Sequence, residues 1–334
     1  MLKKVLFFLV SLVAGTVLFI TVVDWQEFRS ALSIFTGWHV LVILLLTALM
    51  FFIGAWKWMI ILKNQGYSLE KKEIFKLYLA GFSLSYLFPL FIGGGTGTIF
   101  RGYVLREKFF VPWKKGIVSL IIEKFLEISI GLLVILAGLI FFLSKRGIPS
   151  GNIGAPLLLG IIVLTAFFVF LYVKFFRSES IVGFFAKFFS KKHFVNGTAL
   201  EIEQDIFDFF EPKKPIFWKV VGLAFLRVAV IGLRSWILVL FLGQFLTFFS
   251  IFPIMAFYFM ALYIPVPAML GTHEIAQTFA FGSLGVEAGL AAAFTMIQRG
   301  AELLFAFIGL LIFFKLGFSL IRSIFSRKID TFIR

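Results

Sequence analysis

The chain contains no cysteine among its 334 residues, which excludes a disulfide framework and a thiol-ligated metal. It has only three histidines, His39, His193 and His273, with no second one within helical reach of any, so no metal site is expected. Charge is scarce too, at 15% of residues, and acidic charge is the scarcer: 17 Asp and Glu stand against 32 Lys and Arg, a net charge of +15. Such a surplus would suit nucleic acid, but the basic residues crowd the ends of apolar segments, as cytoplasmic anchors do, and no nucleic-acid partner is expected. A phosphate loop ending in Gly-Lys-Ser/Thr, a nucleophile beside its base and an Asp-rich metal cluster are all missing. Nothing in the sequence asks for a cofactor.

What is present is apolar surface. Hydrophobic residues make up 61% of the chain and mean hydropathy is +1.04, which places it in a membrane with no sizeable aqueous domain. MLKK precedes the apolar run Val5 to Val23, too long for a signal-peptide core and without a small-x-small cleavage site, so it reads as a first span. Further runs cover 39–62, 74–99, 116–143, 155–176, 216–243, 249–283 and 288–314. Basic flanks at Lys3 and Lys4, at Lys63 to Lys76, at Arg101 to Lys115, at Lys187 to Lys192 and at Lys315 to Lys328 mark the cytoplasmic side.

Eight simple spans would give the same end locations but would place the cluster Arg101 to Lys115 outside, so two runs are read otherwise. The run 74–99 holds Pro89 and Gly93-Gly94-Gly95 and has basic clusters on both sides; 249–283 holds Pro265, Pro267 and Gly271. Both are expected to dip into the membrane and return. The predicted fold is an all-α integral membrane protein of about six full transmembrane helices plus two Pro/Gly-broken re-entrant hairpins. It forms a single polytopic domain over 1–334, as an inverted repeat of halves at about 1–143 and 155–320. Both termini lie in the cytoplasm at the cell (plasma or inner) membrane. The polar connection 177–215 carries a basic and an acidic amphipath, the second with Leu200, Ile202, Ile206, Phe209 and Phe210 grouped. It is expected on the cytoplasmic leaflet, where the sequon at Asn196 has no meaning.

One charged pattern occurs in both halves: Lys124-x-x-Glu127 in the first and Arg299-x-x-Glu302 in the second, each on one helical face and each about thirty residues after a broken stretch. A single triplet such as Glu123, Lys124 and Glu127 reads equally well as a structural ion pair or as residues snorkelling to the interface. Its recurrence favours a shared polar cavity. Arg227 and Arg234 lie seven apart, hence on one face, with no acidic residue in their span; each needs a partner such as Glu127, Glu274, Glu302 or a lipid phosphate. Gly94, Gly95 and Gly271 allow close backbone approach to a ligand. Thr96, Thr98 and Thr272 suit helix caps, and Arg101 beside the first turn could hold a phosphate.

Pro89, the glycine triplet and Arg101, the Glu123-Lys124 pair, and Pro265-x-Pro with Gly271-x-x-Glu274 and then Arg299 together give a resemblance over nearly the whole chain. The sequence resembles the lysylphosphatidylglycerol synthase/flippase transmembrane family. Two positions depart from the family's pattern: Lys124 stands where it commonly has arginine, and Ala268-Met269 where it usually has paired glycines. The resemblance implies a helical unit that moves an anionic or aminoacylated lipid between leaflets, without the synthase half and so without aminoacyl transfer. Arg101, Lys124, Arg227, Arg234 and Arg299 would receive a headgroup phosphate, while Glu123, Glu127, Glu274 and Glu302 would balance charge or bind an amino group. Expected partners are membrane phospholipids, with a separate lipid-modifying synthase or glycosyltransferase as a candidate. Two other readings stay open: an accessory or enzymatic subunit in lipid-linked glycan processing, its carboxylates acting as acid and base, or a non-transporting scaffold for a synthase.

Overall fold

The computed structural model describes residues 25–89, 95–147 and 197–333, together with isolated helical positions between 159 and 173. The expected first span, residues 177–196, Gly94, and the return span 155–176 apart from those positions lie outside the described residues. Among the described residues every regular element is helical. Four helices are long and apolar enough to cross a bilayer: α2 (Gly37–Asn64), α5 (Trp113–Arg146), α7 (Pro215–Phe241) and α10 (Ala288–Ile333), which follow a short α1 (Trp25–Ile34) and the elements named below. At 1.5 Å per residue, the 27 residues of α7 span about 40 Å, more than the ~30 Å hydrocarbon core.

Four other helices are too short to cross alone, and they come in two broken pairs. α3 (Lys71–Leu87) and α4 (Gly95–Phe109) flank the break at Pro89; α8 (Ile251–Tyr263) and α9 (Thr272–Ser283) flank the break at Pro265 to Gly271. The second break is irregular for identifiable reasons. Pro265 and Pro267 donate no backbone hydrogen bond, Ile264 is extended as pre-proline residues prefer, and a single 3₁₀ turn at Pro267–Met269 carries Ala268 and Met269 at positive φ. Gly271, at φ 78°, then turns the chain into α9. The expected threonine caps do not form. Thr96 and Thr98 fall inside the first turn of α4, and Thr272 Oγ1 donates back to the Met269 carbonyl (3.1 Å); the Glu274 carboxylate instead accepts the Gly271 N–H at 2.9 Å.

α3 lies mainly against α10, α8 mainly against α5, and α2 against α7, whereas the second arms α4 and α9 lie on α5 and α10 respectively. Small residues set these crossings: a Cβ on Gly309 of α10 would strike the Leu79 carbonyl of α3, and one on Gly138 of α5 would strike the Phe252 carbonyl of α8. Such close approach lets backbones pack where lipid supplies no hydrophobic driving force. Ser83 Oγ adds a 2.6 Å bond to the Ala306 carbonyl across the first crossing. On the polar rim, the acidic amphipath forms α6 (Gly197–Phe209). Its Glu201 and Asp205 meet Lys114 and Lys115 at the start of α5, and Phe209 and Phe210 are buried, while Leu200 turns outward.

Candidate functional site: a charged cavity between two helix breaks

Six cationic side chains reach the helix-packed interior: Lys57 of α2, Arg101 of α4, Lys124 of α5, Arg227 and Arg234 of α7, and Arg299 of α10. They pair with four carboxylates, Glu123 and Glu127 of α5, Glu274 of α9 and Glu302 of α10; a fifth buried carboxylate, Glu203, lies on α6. Glu127 and Glu302 join helices far apart in sequence, while Glu123 and Glu274 join consecutive ones. Arg101 bonds Glu123 at 2.7 Å and lies over the rings of Trp58 and Tyr78, 4.7 and 5.4 Å from their centroids. Arg299 pairs with Glu274, the residue that closes the turn into α9. These two pairs bracket α4 and α9, the second arms of the two broken hairpins.

The seven-residue spacing on α7 puts its two arginines on one face two turns apart, facing different carboxylates. Arg234 donates to Glu302 at 2.7 Å and to Thr47 at 3.1 Å, and Tyr258 donates to the same Glu302 oxygen at 3.1 Å. Arg227 donates to Glu127 Oε1 at 2.5 Å. On α5 the i,i+3 pair closes as its spacing suggests, Lys124 to Glu127 Oε2 at 2.9 Å. Arg299 and Glu302 share a face of α10 yet each takes a partner from a different helix. Glu127 is also approached by Lys57 Nζ at 3.5 Å. Three cations therefore surround a single carboxylate.

That cluster opens on a cavity of about 150 Å³. Its charged lining is Lys57, Lys124, Glu127, Arg227 and Glu302, and both helix breaks contribute to its wall, Pro89 from the first and Ile264 to Val266 and Met269 from the second. Of the residues expected at the site, Lys124, Glu127, Arg227 and Glu302 line this cavity. Arg234 stands behind it through Glu302. Arg101 with Glu123, and Arg299 with Glu274, are paired in the surrounding helix packing, near Gly95 and Gly271 respectively. The volume is room for several waters or a small polar headgroup.

Several buried polar atoms around the cavity have no hydrogen-bond partner: Lys57 Nζ, Arg227 Nε, Tyr86 Oη and Glu302 Oε2, all on residues of its wall. His273 is fully buried nearby with neither ring nitrogen bonded, its ring 5.3 Å from that of Tyr258. Unsatisfied buried polar groups are costly, so a cluster of them calls for an explanation. Sequence reasoning passed over Lys57, Tyr86 and Tyr258. The signal for Lys57 was present, since a lone lysine six residues inside Lys63 lies about 9 Å deeper along a helix. No such signal marked the tyrosines.

An all-helical, multi-pass membrane protein with a charged interior is the class that fold and site define. Residues 6–309 match the family described as lysylphosphatidylglycerol synthase TM region, and the chain belongs to that family. It is similar to a UPF0104 membrane protein of Methanocaldococcus jannaschii, 26% identical over 275 residues that cover 78% of this chain and 79% of the relative. No solved structure matches the chain. The family expected from the dispersed motifs is the family found, and it is a lipid-related one by its description.

Proposed function

We propose that the protein is a non-enzymatic lipid translocase of the cell membrane, which passes the headgroup of an anionic phospholipid between leaflets through the cavity while the acyl chains stay in the bilayer. One observation carries this reading: Lys57, Lys124 and Arg227 converge on the single carboxylate of Glu127 inside a membrane-embedded cavity. Uncompensated cations at membrane depth are expensive and are retained where they serve a route or a ligand. Guanidinium and ammonium groups in such a set match the oxygens of a phosphate. The description of the family, which names a lipid-modifying synthase, supports a lipid as cargo.

The transport architecture in this reading is six full spans with two re-entrant hairpins in an inverted repeat, both termini cytoplasmic. Its support is the pair of broken helix hairpins whose breaks border one cavity, and the reciprocal packing of their first arms, α3 on α10 and α8 on α5. Discontinuous helices at corresponding places in two halves are the usual frame of a midplane site. A separate synthase or glycosyltransferase would supply or consume the lipid.

The test is reconstitution of the purified chain in vesicles with phospholipids whose headgroups can be chemically modified from outside only. Movement of anionic lipid is expected above protein-free vesicles, lowered by Arg227→Lys despite the retained charge, because the planar two-pronged donor is lost, and lowered further by Arg227→Ala. Movement equal to that in protein-free vesicles, with folded protein present, would remove translocation and leave a scaffold role.

A further inference from the structure

Of the three cations around Glu127, Lys57 is the least firmly held. Its side chain is 1% exposed, yet Nζ makes no hydrogen bond and stands 3.5 Å from the carboxylate. The other two bond Glu127 directly, Lys124 at 2.9 Å and Arg227 at 2.5 Å. Arg227 keeps its proton throughout, because a guanidinium is not deprotonated in proteins. Lys124 is 28% exposed, so water shares in holding its charge. Lys57 has neither support. An ammonium without a bonded partner in a low-dielectric interior is the form that burial disfavours, and the neutral amine relieves it.

The groups that face Lys57 point the same way. α2 packs on α7, α3, α5 and α10. From α5 come Glu123, Lys124 and Glu127, and from α7 comes Arg227. From α3 come Tyr78, whose hydroxyl lies close against Gly54 one turn before Lys57, and Tyr86 on the cavity wall; from α10 comes Glu302 on the same wall. Glu123 is taken by Arg101 and Glu302 by Arg234. Lys124 and Arg227 then stand against Glu127, a surplus of one positive charge before Lys57 is counted. A proton on Lys57 raises that surplus to two in the empty cavity. With a singly charged phosphodiester present, the same proton leaves it at one.

We infer that an anion entering this cavity brings one proton with it, and that Lys57 carries that proton. The amine takes it from cavity water as the anion arrives, forming an N–H bond that points to a phosphate oxygen. Water reaches the cluster because the side chains of Lys124, Arg227 and Glu127 are all partly exposed. When the anion leaves, that N–H bond breaks and the proton returns to water on the release side. One anion and one proton cross together, so no net charge moves. The inference rests on the anionic-cargo reading above and adds its coupling ion: such a carrier answers to a pH difference rather than to the membrane potential.

The test is calorimetric titration of the full chain in detergent with dihexanoyl phosphatidylglycerol, in Tris and in HEPES at the same pH. The dependence of the observed heat on the ionisation enthalpy of the buffer counts the protons taken up. The parent is expected to take up about one proton per bound lipid, and its affinity to fall by about tenfold per unit as pH rises, because the bound state is the protonated one. Lys57→Arg is permanently charged and Lys57→Met never is, so each should take up less than about 0.2 proton, whatever its affinity. Lipid binding by the parent without proton uptake overturns the inference and leaves the anionic reading standing. Uptake that survives in both Lys57 variants but vanishes in Lys124→Arg or Glu127→Gln overturns the assignment to Lys57. If neither Lys57 variant folds, a parent affinity independent of pH overturns the inference and the expected fall upholds it. No binding by folded parent removes the anionic reading itself, and the inference with it. Dimethyl phosphate bound with the same uptake, where the lipid is not bound, keeps the coupled proton and replaces the lipid by a free phosphodiester.

Discussion

Removing the Glu302 carboxylate leaves the Arg234 guanidinium in a helix interior where it is 0% exposed and has one hydroxyl partner left, Thr47, besides what the new side chain offers. The size of the effect follows from the geometry. Opposite charges about 4 Å apart at an effective dielectric near 20 attract by ~4 kcal/mol, and breaking a buried pair by deleting one member costs ~3–5 kcal/mol. Glu302→Gln keeps an oxygen for Arg234 and Tyr258 to bond and should cost about 2–4 kcal/mol; Glu302→Leu, which keeps none, should cost about 3–5 kcal/mol. The double variant Arg234→Met, Glu302→Leu removes the stranded charge and should recover to within about 1–2 kcal/mol of the parent, the remainder being the Tyr258 hydroxyl left without its acceptor, since Thr47 keeps its bond to the Ile43 carbonyl. Reversible SDS titration in mixed micelles, monitored by tryptophan fluorescence, measures all of these on one scale and gives the coupling energy of the pair. A Glu302→Leu protein as stable as the parent, or a cycle that is simply additive, would show that Arg234 finds water or another anion when Glu302 is gone. The charged interior would then be wet rather than a set of packed ion pairs.

Two further outcomes are read on the same titration. Gly309→Ala should cost about 1–3 kcal/mol by driving a methyl into the Leu79 carbonyl, while Gly300→Ala on the same helix, where a Cβ meets nothing, should be neutral or gain up to ~1 kcal/mol. Ala268→Gly should hold or raise stability by up to about 1 kcal/mol, because φ 49° strains an L side chain, whereas Ala268→Val should lose more than about 1 kcal/mol.

Both helix breaks were legible in the sequence because proline and glycine act locally: Pro89, Pro265 and Gly271 interrupt the helix wherever the rest of the chain lies. The i,i+3 closure of Lys124 on Glu127 was legible for the same reason. What could not be read was the choice of partner across helices. Arg299 and Glu302 present the same spacing as Lys124 and Glu127, yet α9 and α7 supply nearer partners, Glu274 and Arg234, once the halves are packed. Tyr86 and Tyr258 were hidden by composition. In a chain with 49 phenylalanines, 7 tyrosines and 7 tryptophans, an aromatic residue near a helix end is read first as membrane filler, and only the packed structure shows which hydroxyl faces inward. Ala268 and Met269 gave a subtler sign. They depart from the paired glycines usual in the family, and the structure holds both at the positive φ that glycine would adopt without strain, so the turn has kept its shape while losing the residues that favour it.

The Glu127 carboxylate has a consequence for turnover in the proposed reading. Its two oxygens already occupy all three cations of the cluster: Arg227 and Lys57 at one, Lys124 at the other. A phosphate that enters must share those donors with a resident anion rather than find them free. Without Glu127, three cations in a low-dielectric cavity would hold a phosphate deeply, and a carrier that binds its cargo too well does not release it. With Glu127 retained, the donors lose fewer hydrogen bonds when the phosphate leaves, since the carboxylate takes them back. The same exchange explains how the cluster persists without cargo, because each cation keeps at least one carboxylate oxygen near it. A site built only to grip an anion would have no use for that carboxylate, and one built only to lock helices together would not need three cations around it. A donor set shared between an internal carboxylate and a passing phosphate meets both requirements of a route, entry and release.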